Sequence, residues 1–223
     1  MEYISLYAKK EFLSDLSKQE LKAVFQLFRI MNSFNYNINK IKEIQSREKS
    51  LHNIFYLLEE TFTLAALIKE SMKVVFKENS AASRILPRIT DREILSLYSQ
   101  RKAYYDTFET NVDLKFIEKI RNDFAFHFKE EIYDGQIGDG KTVDDLHIAV
   151  SFSEKNGDIL YLNPTNSILD QIRRYLEKNK IDRMPEKYLY DVVSEVGIDI
   201  YTLVNKLLRE IFKNNAYKKM EEF

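Results

Sequence analysis

Arg121 and His127 are the two side chains of this sequence whose types and spacing suggest chemistry. They lie in the stretch IRNDFAFHFKEE (120–131), where phenylalanines flank the histidine on both sides. A histidine with a pKa near neutrality can accept or donate a proton. An arginine stays charged, and its planar fork binds two phosphate oxygens. Because RNA carries its own nucleophile in the 2′-hydroxyl, this pair could cleave RNA without a metal.

Both side chains fall on the apolar side of the helix that the pattern predicts over 112–130. At about 100° per residue, Ile120 and His127 project nearly along one line, and Arg121 follows Ile117 by four positions. A charged group in an apolar stripe is costly unless it is paired or close to water. The two side chains are about 120° apart around an ideal helix. A second copy of the chain, packed about a two-fold axis, would gather two Arg and two His in one cleft.

The run RNDFAFH (121–127) resembles the motif of the HEPN superfamily (higher eukaryotes and prokaryotes nucleotide-binding), in which four to six residues separate an arginine from a following histidine; here five residues separate them. The resemblance implies a dimeric, metal-independent endoribonuclease of a toxin–antitoxin or antiviral system, with its active site at the dimer interface and without a cofactor. It makes Arg121 and His127 catalytic and gives Asn122 and Asp123 auxiliary roles. It also implies an RNA substrate and a cognate antitoxin or regulatory protein.

A non-catalytic interpretation of the same residues stays open. His127 would then be a satisfied core histidine, and Arg121 would pair with a carboxylate such as Asp123. The chain would be a helical dimerisation or interaction module, or an RNA- or nucleotide-binding regulator of the same fold. Of the other two histidines, His52 is interpreted as a helix-surface or boundary residue and His147 as a structural residue.

A local basic cluster is the second candidate contact with RNA. Residues 84 to 102 hold five basic and two acidic side chains. This excess could guide an RNA backbone by charge, and Arg84, Arg88 and Arg92 are the candidate RNA-binding residues. A solvated face is the alternative interpretation.

The composition limits the function classes. The chain has 223 residues with 34 basic and 35 acidic side chains, which excludes a strongly basic nucleic-acid coat. It has no cysteine, which excludes disulfides, thiolate metal sites and cysteine nucleophiles and favours a cytoplasmic setting. The N-terminus does not resemble a signal peptide. No apolar run approaches the roughly 20 residues of a membrane span, so no membrane association is expected, and no metal-ligand cluster is evident.

The predicted fold is mainly α: a single helical domain over 1–223, with an inserted β-hairpin near 146–162 and additional C-terminal helices within 165–215. Few helix breakers, 5 Gly and 3 Pro, favour long helices. Capping boxes are predicted in SKQE (17–20) and TDRE (90–93).

The remaining element boundaries follow from periodicity. One long helix is predicted over 40–78, another from near Asn111 or Asp113, and the last two over about 165–179 and 185–215. Period-2 alternation on both sides of Asn156-Gly157 predicts the hairpin. The tail after the last helix is expected to fray.

Overall fold

The computed structural model describes residues 2–47, 51–122, 150–152, 159–213 and 216–222. The chain is mainly helical, as predicted. Its helices are α1 (Lys10–Asp15), α2 (Lys18–Ser46), α3 (Leu51–Phe76), α4 (Ala81–Ile85), α5 (Arg92–Asp106), α6 (Val112–Ile120), α7 (Leu162–Lys178) and α8 (Pro185–Phe212), with a 3₁₀ turn at Leu86–Arg88. The strands are β1 (Glu2–Ala8), β2 (Val150–Phe152), β3 (Ile159–Tyr161) and β4 (Ala216–Glu222).

The start of α2 follows the predicted capping box. The backbone N–H of Ser17 donates to Glu20 Oε2 at 2.8 Å, and the N–H of Glu20 donates to Ser17 Oγ at 3.2 Å. These two bonds satisfy backbone donors that have no partner inside the first turn of a helix.

The second predicted capping box, at the start of α5, is wrong in its capping residue. Asp91, and not Thr90, caps the helix, because its Oδ1 accepts from the backbone N–H groups of Glu93 and Ile94 at 2.8 and 3.3 Å. Asp is as good a cap as Ser or Thr, and the sequence analysis did not consider it. The hydroxyl of Thr90 contacts Glu210 Oε1 instead, at 3.2 Å.

The single helix predicted over 40–78 is wrong at its start. Helix α2 continues to Ser46, and α3 begins at Leu51. The stretch SREKS (46–50) has no apolar residue, so the apolar stripe is interrupted there. The predicted stripe of α3 is confirmed, since all of its members are buried: Leu58, Phe62, Ala65, Ile68, Met72, Val75 and Phe76.

Two compact units can be distinguished in the chain. The first comprises Met1–Asn35, Glu70–Glu109 and Ile198–Phe223. In its core the ring of Phe76 stacks on that of Tyr105, with centroids 4.3 Å apart. Burial raises the pKa of the Tyr105 phenol, as expected for a group whose charged form is poorly solvated. The prediction of a single domain stays a prediction.

The two ends of the chain pair with each other within the first unit. Strand β1 runs antiparallel to β4, from Glu2 opposite Glu222 to Ala8 opposite Ala216. The expected fraying of the tail is therefore wrong for 216–222, because a ladder of backbone hydrogen bonds holds this segment. Sequence periodicity near each terminus did not reveal a partner so far away in the chain.

The second unit comprises Tyr36–Lys69 and Thr110–Gly197. Strand β2 pairs antiparallel with β3, with Val150 opposite Tyr161 and Phe152 opposite Ile159. The Asn-Gly turn predicted between them lies in 153–158, outside the described residues, so the inserted hairpin stays a prediction.

Helix α7 begins earlier than expected, and α8 ends earlier than expected, at Phe212. The predicted stripe of α8 is buried: Val193, Val196, Ile200, Leu203, Val204, Leu207 and Ile211.

Candidate functional site

Helix α6 carries the predicted arginine. It begins where the sequence predicts, because Asn111 caps it: Oδ1 of Asn111 accepts from the N–H of Leu114 at 3.0 Å. Four apolar side chains of the helix are fully buried, namely Leu114, Phe116, Ile117 and Ile120. This burial fixes the rotation of the helix about its axis and therefore the direction in which the residues at its C-terminal end project.

Two tyrosines anchor the first turn of α6 within the second unit. The hydroxyl of Tyr188 donates to Asp113 Oδ1 at 2.5 Å, and that of Tyr175 donates to the carbonyl of Val112 at 2.9 Å. The Phe116 ring lies against both tyrosine rings, with centroids 5.3 Å from Tyr175 and 4.9 Å from Tyr188. Burying these phenols without partners would be costly, so the bonds also specify the position of α6.

The tyrosines of this anchor are protonated donors over the ordinary pH range. Burial raises the pKa of Tyr175 to about 12. Burial first, and the hydrogen bond to Asp113 second, raise the pKa of Tyr188. An ion pair between Lys69 Nζ and Glu118 Oε1, at 2.7 Å, attaches the middle of α6 to α3 in the same unit.

Arg121 lies at the C-terminal end of α6 and is half-buried. Its backbone is helical, and its N–H donates to the carbonyls of Glu118 and Ile117. Arg121 and Asn122 have a π-helical backbone. The Nη1 of Arg121 donates to Asn122 Oδ1 at 2.9 Å. The Asn122 side chain thus orients the guanidinium, and the negative end of the helix dipole favours a cation there.

The other members of the predicted catalytic set lie beyond this point. His127 and Asp123 fall outside the described residues, so the pairing of Arg121 with His127 stays a prediction. His147 is likewise outside them. His52 belongs to α3, and its side chain is not among those described. The structure therefore brings together Arg121 and Asn122 of the predicted site.

Arg88 of the predicted basic cluster is held in an ion-pair network. Its Nε donates to Glu20 Oε1 at 2.7 Å, and its Nη1 donates to Asp15 Oδ2 at 2.5 Å. Hydrogen bonds from Arg88 first, and from Ser17 second, lower the pKa of Glu20 to about 2. The same carboxylates raise the pKa of Arg88. Arg88 therefore contacts the capping box of α2, and its role in RNA binding stays a prediction.

Two further basic side chains of the cluster also form ion pairs with carboxylates. Arg101 Nη2 lies 2.8 Å from Asp199 Oδ1, and Lys102 Nζ lies 2.7 Å from Asp106 Oδ2. Within the described part of the chain, Arg84 and Arg92 form no ion pair. The role of these two arginines in RNA binding also stays a prediction.

An apolar groove in the first unit is a feature that the sequence interpretation missed. It is a cavity of about 460 Å³ lined by described side chains of α1, α2 and α8: Leu13, Leu21, Val24, Phe25, Phe28, Leu208, Arg209 and Phe212. The signal available in the sequence was the spacing of Leu21, Phe25 and Phe28, which places three large apolar groups on one face of α2.

Metal-ligand clusters and membrane-spanning helices are both absent from the described residues. These residues contain no group of three or more His, Asp or Glu side chains arranged to hold a metal ion. None of their helices is long and apolar enough to cross a bilayer.

The chain was compared with protein-family models, curated protein sequences and solved structures, and none of the three gave a match.

Proposed function

We propose that this chain is a HEPN-type, metal-independent endoribonuclease of a toxin or antiviral-defence system. Arg121 would bind the scissile phosphate and His127 would act as general acid and base. The observation that carries the proposal is the position of Arg121, half-buried at the end of a firmly anchored helix with its guanidinium oriented by Asn122. An arginine on a solvated helix surface does not need a neighbouring side chain to orient its guanidinium.

The proposed reaction is an internal transesterification followed by release. The 2′-oxygen forms a bond to the adjacent phosphorus as the bond from phosphorus to the 5′-oxygen breaks. His127 takes the proton from the 2′-hydroxyl as general base, and the protonated His127 then gives it to the leaving 5′-oxygen as general acid. Arg121 stabilises the charge that develops on the phosphoryl oxygens. The products are a 2′,3′-cyclic phosphate end and a 5′-hydroxyl end.

The proposed assembly is a cytoplasmic homodimer with its site at the interface, as the HEPN resemblance implies. A helical bundle with the hairpin predicted over 146–162 would provide the frame, and a cognate antitoxin or regulatory protein would restrain the activity. Arg84 and Arg92 would guide RNA toward the site by charge.

A second candidate is a non-catalytic helical interaction module. The exposed apolar rim of the groove supports it, because Phe25 is 62% exposed and Phe28 is 39% exposed. Large apolar groups clustered on a surface commonly mark a binding site. In this case the motif over 121–127 would serve dimer packing, or RNA or nucleotide binding without turnover.

Cleavage of RNA in EDTA tests the proposal. Purified wild type is incubated with mixed tRNA and single-stranded RNA, beside Arg121→Ala and His127→Ala. Loss of a general acid–base residue costs typically about 10²–10⁴-fold in rate, and loss of a charge-stabilising donor about 10²–10³-fold. Arg173→Ala and His52→Ala are the matched controls, and they should keep the wild-type rate. All variants are compared at equal helicity by circular dichroism and at equal oligomeric state by light scattering.

Each outcome of this experiment decides between the candidates. Cleavage that both site variants lose, that both controls keep, and that fails on RNA with 2′-deoxy linkages supports the enzyme. Cleavage that survives both site substitutions removes Arg121 and His127 from the site. No cleavage of any substrate by a well-folded wild type favours the interaction module.

A further inference from the structure

The apolar groove of the first unit has a fixed floor and an open rim. Val24 and Leu208 form part of the floor and are 2% and 7% exposed. The Phe212 ring is packed against Phe12 and Phe28, with centroids 5.6 and 5.5 Å apart. These contacts hold the walls of the groove in place, which lowers the entropic cost of binding.

The rim of the groove is basic. Arg209 lines the cavity itself, and Lys22 and Arg29 flank the exposed Phe25 on α2, three positions before it and four after it. Among the described residues, no carboxylate forms an ion pair with any of these three cations. Among the described residues, these cations therefore place positive charge at and beside the apolar walls.

Three acidic groups of the neighbouring segments are engaged by other side chains. Asp15 and Glu20 are bound by Arg88. Glu210 contacts the Thr90 hydroxyl at 3.2 Å and lies 3.7 Å from Lys213 Nζ. A ligand with negative charge would consequently meet little repulsion from these carboxylates at the Arg209 side of the groove.

From this arrangement we infer that the groove binds a free fatty acid, with the acyl chain along the apolar walls and the carboxylate on Arg209. The volume of about 460 Å³ lies within the range of about 300–1,000 Å³ of small-molecule sites, which combine apolar walls with a few polar groups. An arginine fork suits a carboxylate because it can donate two parallel hydrogen bonds. The inference is independent of the proposed ribonuclease activity, since all of its residues belong to the first unit.

Titration calorimetry with dodecanoate, kept below its micelle concentration, tests this site in the full chain. Saturable binding of one dodecanoate per chain is expected. Arg209→Gln should weaken it about tenfold or more, because a charge-assisted pair is lost. Phe25→Asp, at an exposed position that tolerates a polar group, should weaken it similarly by repulsion. Arg173→Gln is the matched control and should bind as the wild type does.

Two companion measurements separate this ligand from other occupants. Dodecyltrimethylammonium has the same chain with the opposite charge and should bind at least about tenfold more weakly than dodecanoate. Light scattering compares wild type with Phe25→Asp. Absence of saturable dodecanoate binding, or equal affinity for the two amphiphiles, overturns the inference. A dimer that Phe25→Asp dissociates while dodecanoate fails to bind also overturns it and assigns the groove to a second copy.

Discussion

Replacing Arg88 with glutamine should destabilise the protein in a pH-dependent way. Arg88 joins the 3₁₀ turn to α1 and to the first turn of α2 through Asp15 and Glu20. Its side chain is 33% exposed and that of Glu20 is 16% exposed, so water screens the pair in part. Hydrogen bonds to charged groups contribute about 1.5–3 kcal/mol each when well shielded, and exposed pairs under about 1 kcal/mol. We expect Arg88→Gln to lower the free energy of unfolding by about 1–3 kcal/mol at pH 7.

The pH dependence results from the lowered pKa of Glu20, which is about 2 in the folded protein against an ordinary value of 4.5. A carboxyl with a depressed folded pKa contributes its stability above the unfolded pKa and loses it as the pH falls through the folded one. The contribution of Glu20 is therefore complete above pH 4.5. Roughly half or more of it should be lost at about pH 3, and the effect of Arg88→Gln should shrink correspondingly.

Urea unfolding of wild type, Arg88→Gln, Glu20→Gln and the double variant at pH 7, 5, 4 and 3 measures the coupling directly. Glutamine at position 20 preserves the capping box, so the cycle isolates the ion pair. Lys102→Gln, which removes an exposed pair with Asp106, is the control and should change stability by no more than about 0.5 kcal/mol. A coupling energy near zero at pH 7, or one that does not fall between pH 5 and pH 3, would refute the assigned role of Arg88.

Three further substitutions test other contacts, each by urea unfolding. Ser80→Ala should cost about 1–2 kcal/mol, because the buried hydroxyl accepts from the Ser83 N–H at 3.1 Å and caps α4; a cost below about 0.3 kcal/mol would contradict this. Tyr188→Phe should cost about 1–2 kcal/mol, since Asp113 loses its phenol donor; no change would show that the bond contributes nothing. Lys180→Gly should stabilise by about 0.5–1 kcal/mol, because position 180 has a φ of 57°, and a loss of stability would argue against this backbone geometry.

Local patterns in the sequence predicted much of the helical structure but not what the charged side chains of the helices contact. The buried stripes of α3 and α8 and the starts of α2 and α6 follow from spacing and capping, which depend on residues only a few positions apart. Arg88 contacts Glu20 and Asp15, which are 68 and 73 positions away from it in the sequence. The pattern of basic residues therefore did not reveal which carboxylates Arg88 contacts.

The groove also depends on tertiary contacts that local sequence patterns do not predict. Leu21, Phe25 and Phe28 could be seen on one face of α2, but α8 provides Leu208, Arg209 and Phe212 from the opposite end of the chain. Long-range pairing also joins β1 to β4. Periodicity identifies which face of an element is apolar, whereas tertiary contacts decide whether that face is covered or left open.

A mixed-subunit experiment would show whether the proposed site lies within one chain or across a dimer. The separation of about 120° between Arg121 and His127 on an ideal α-helix is a prediction from the sequence, because His127 lies outside the described residues. It does not choose between a site within one chain and a site across two.

Arg121→Ala and His127→Ala are each inactive in the proposed mechanism. If one subunit supplies the arginine and its partner the histidine, half of the dimers in an equal mixture are mixed, and each of these has one intact site of two. Equal mixing with subunit exchange should then restore about a quarter of the wild-type rate. If both groups act within one chain, every chain in the mixture has a defective site, and no activity returns. Restored cleavage places the active site at the interface, and its absence in a mixture shown to exchange subunits assigns the site to a single chain.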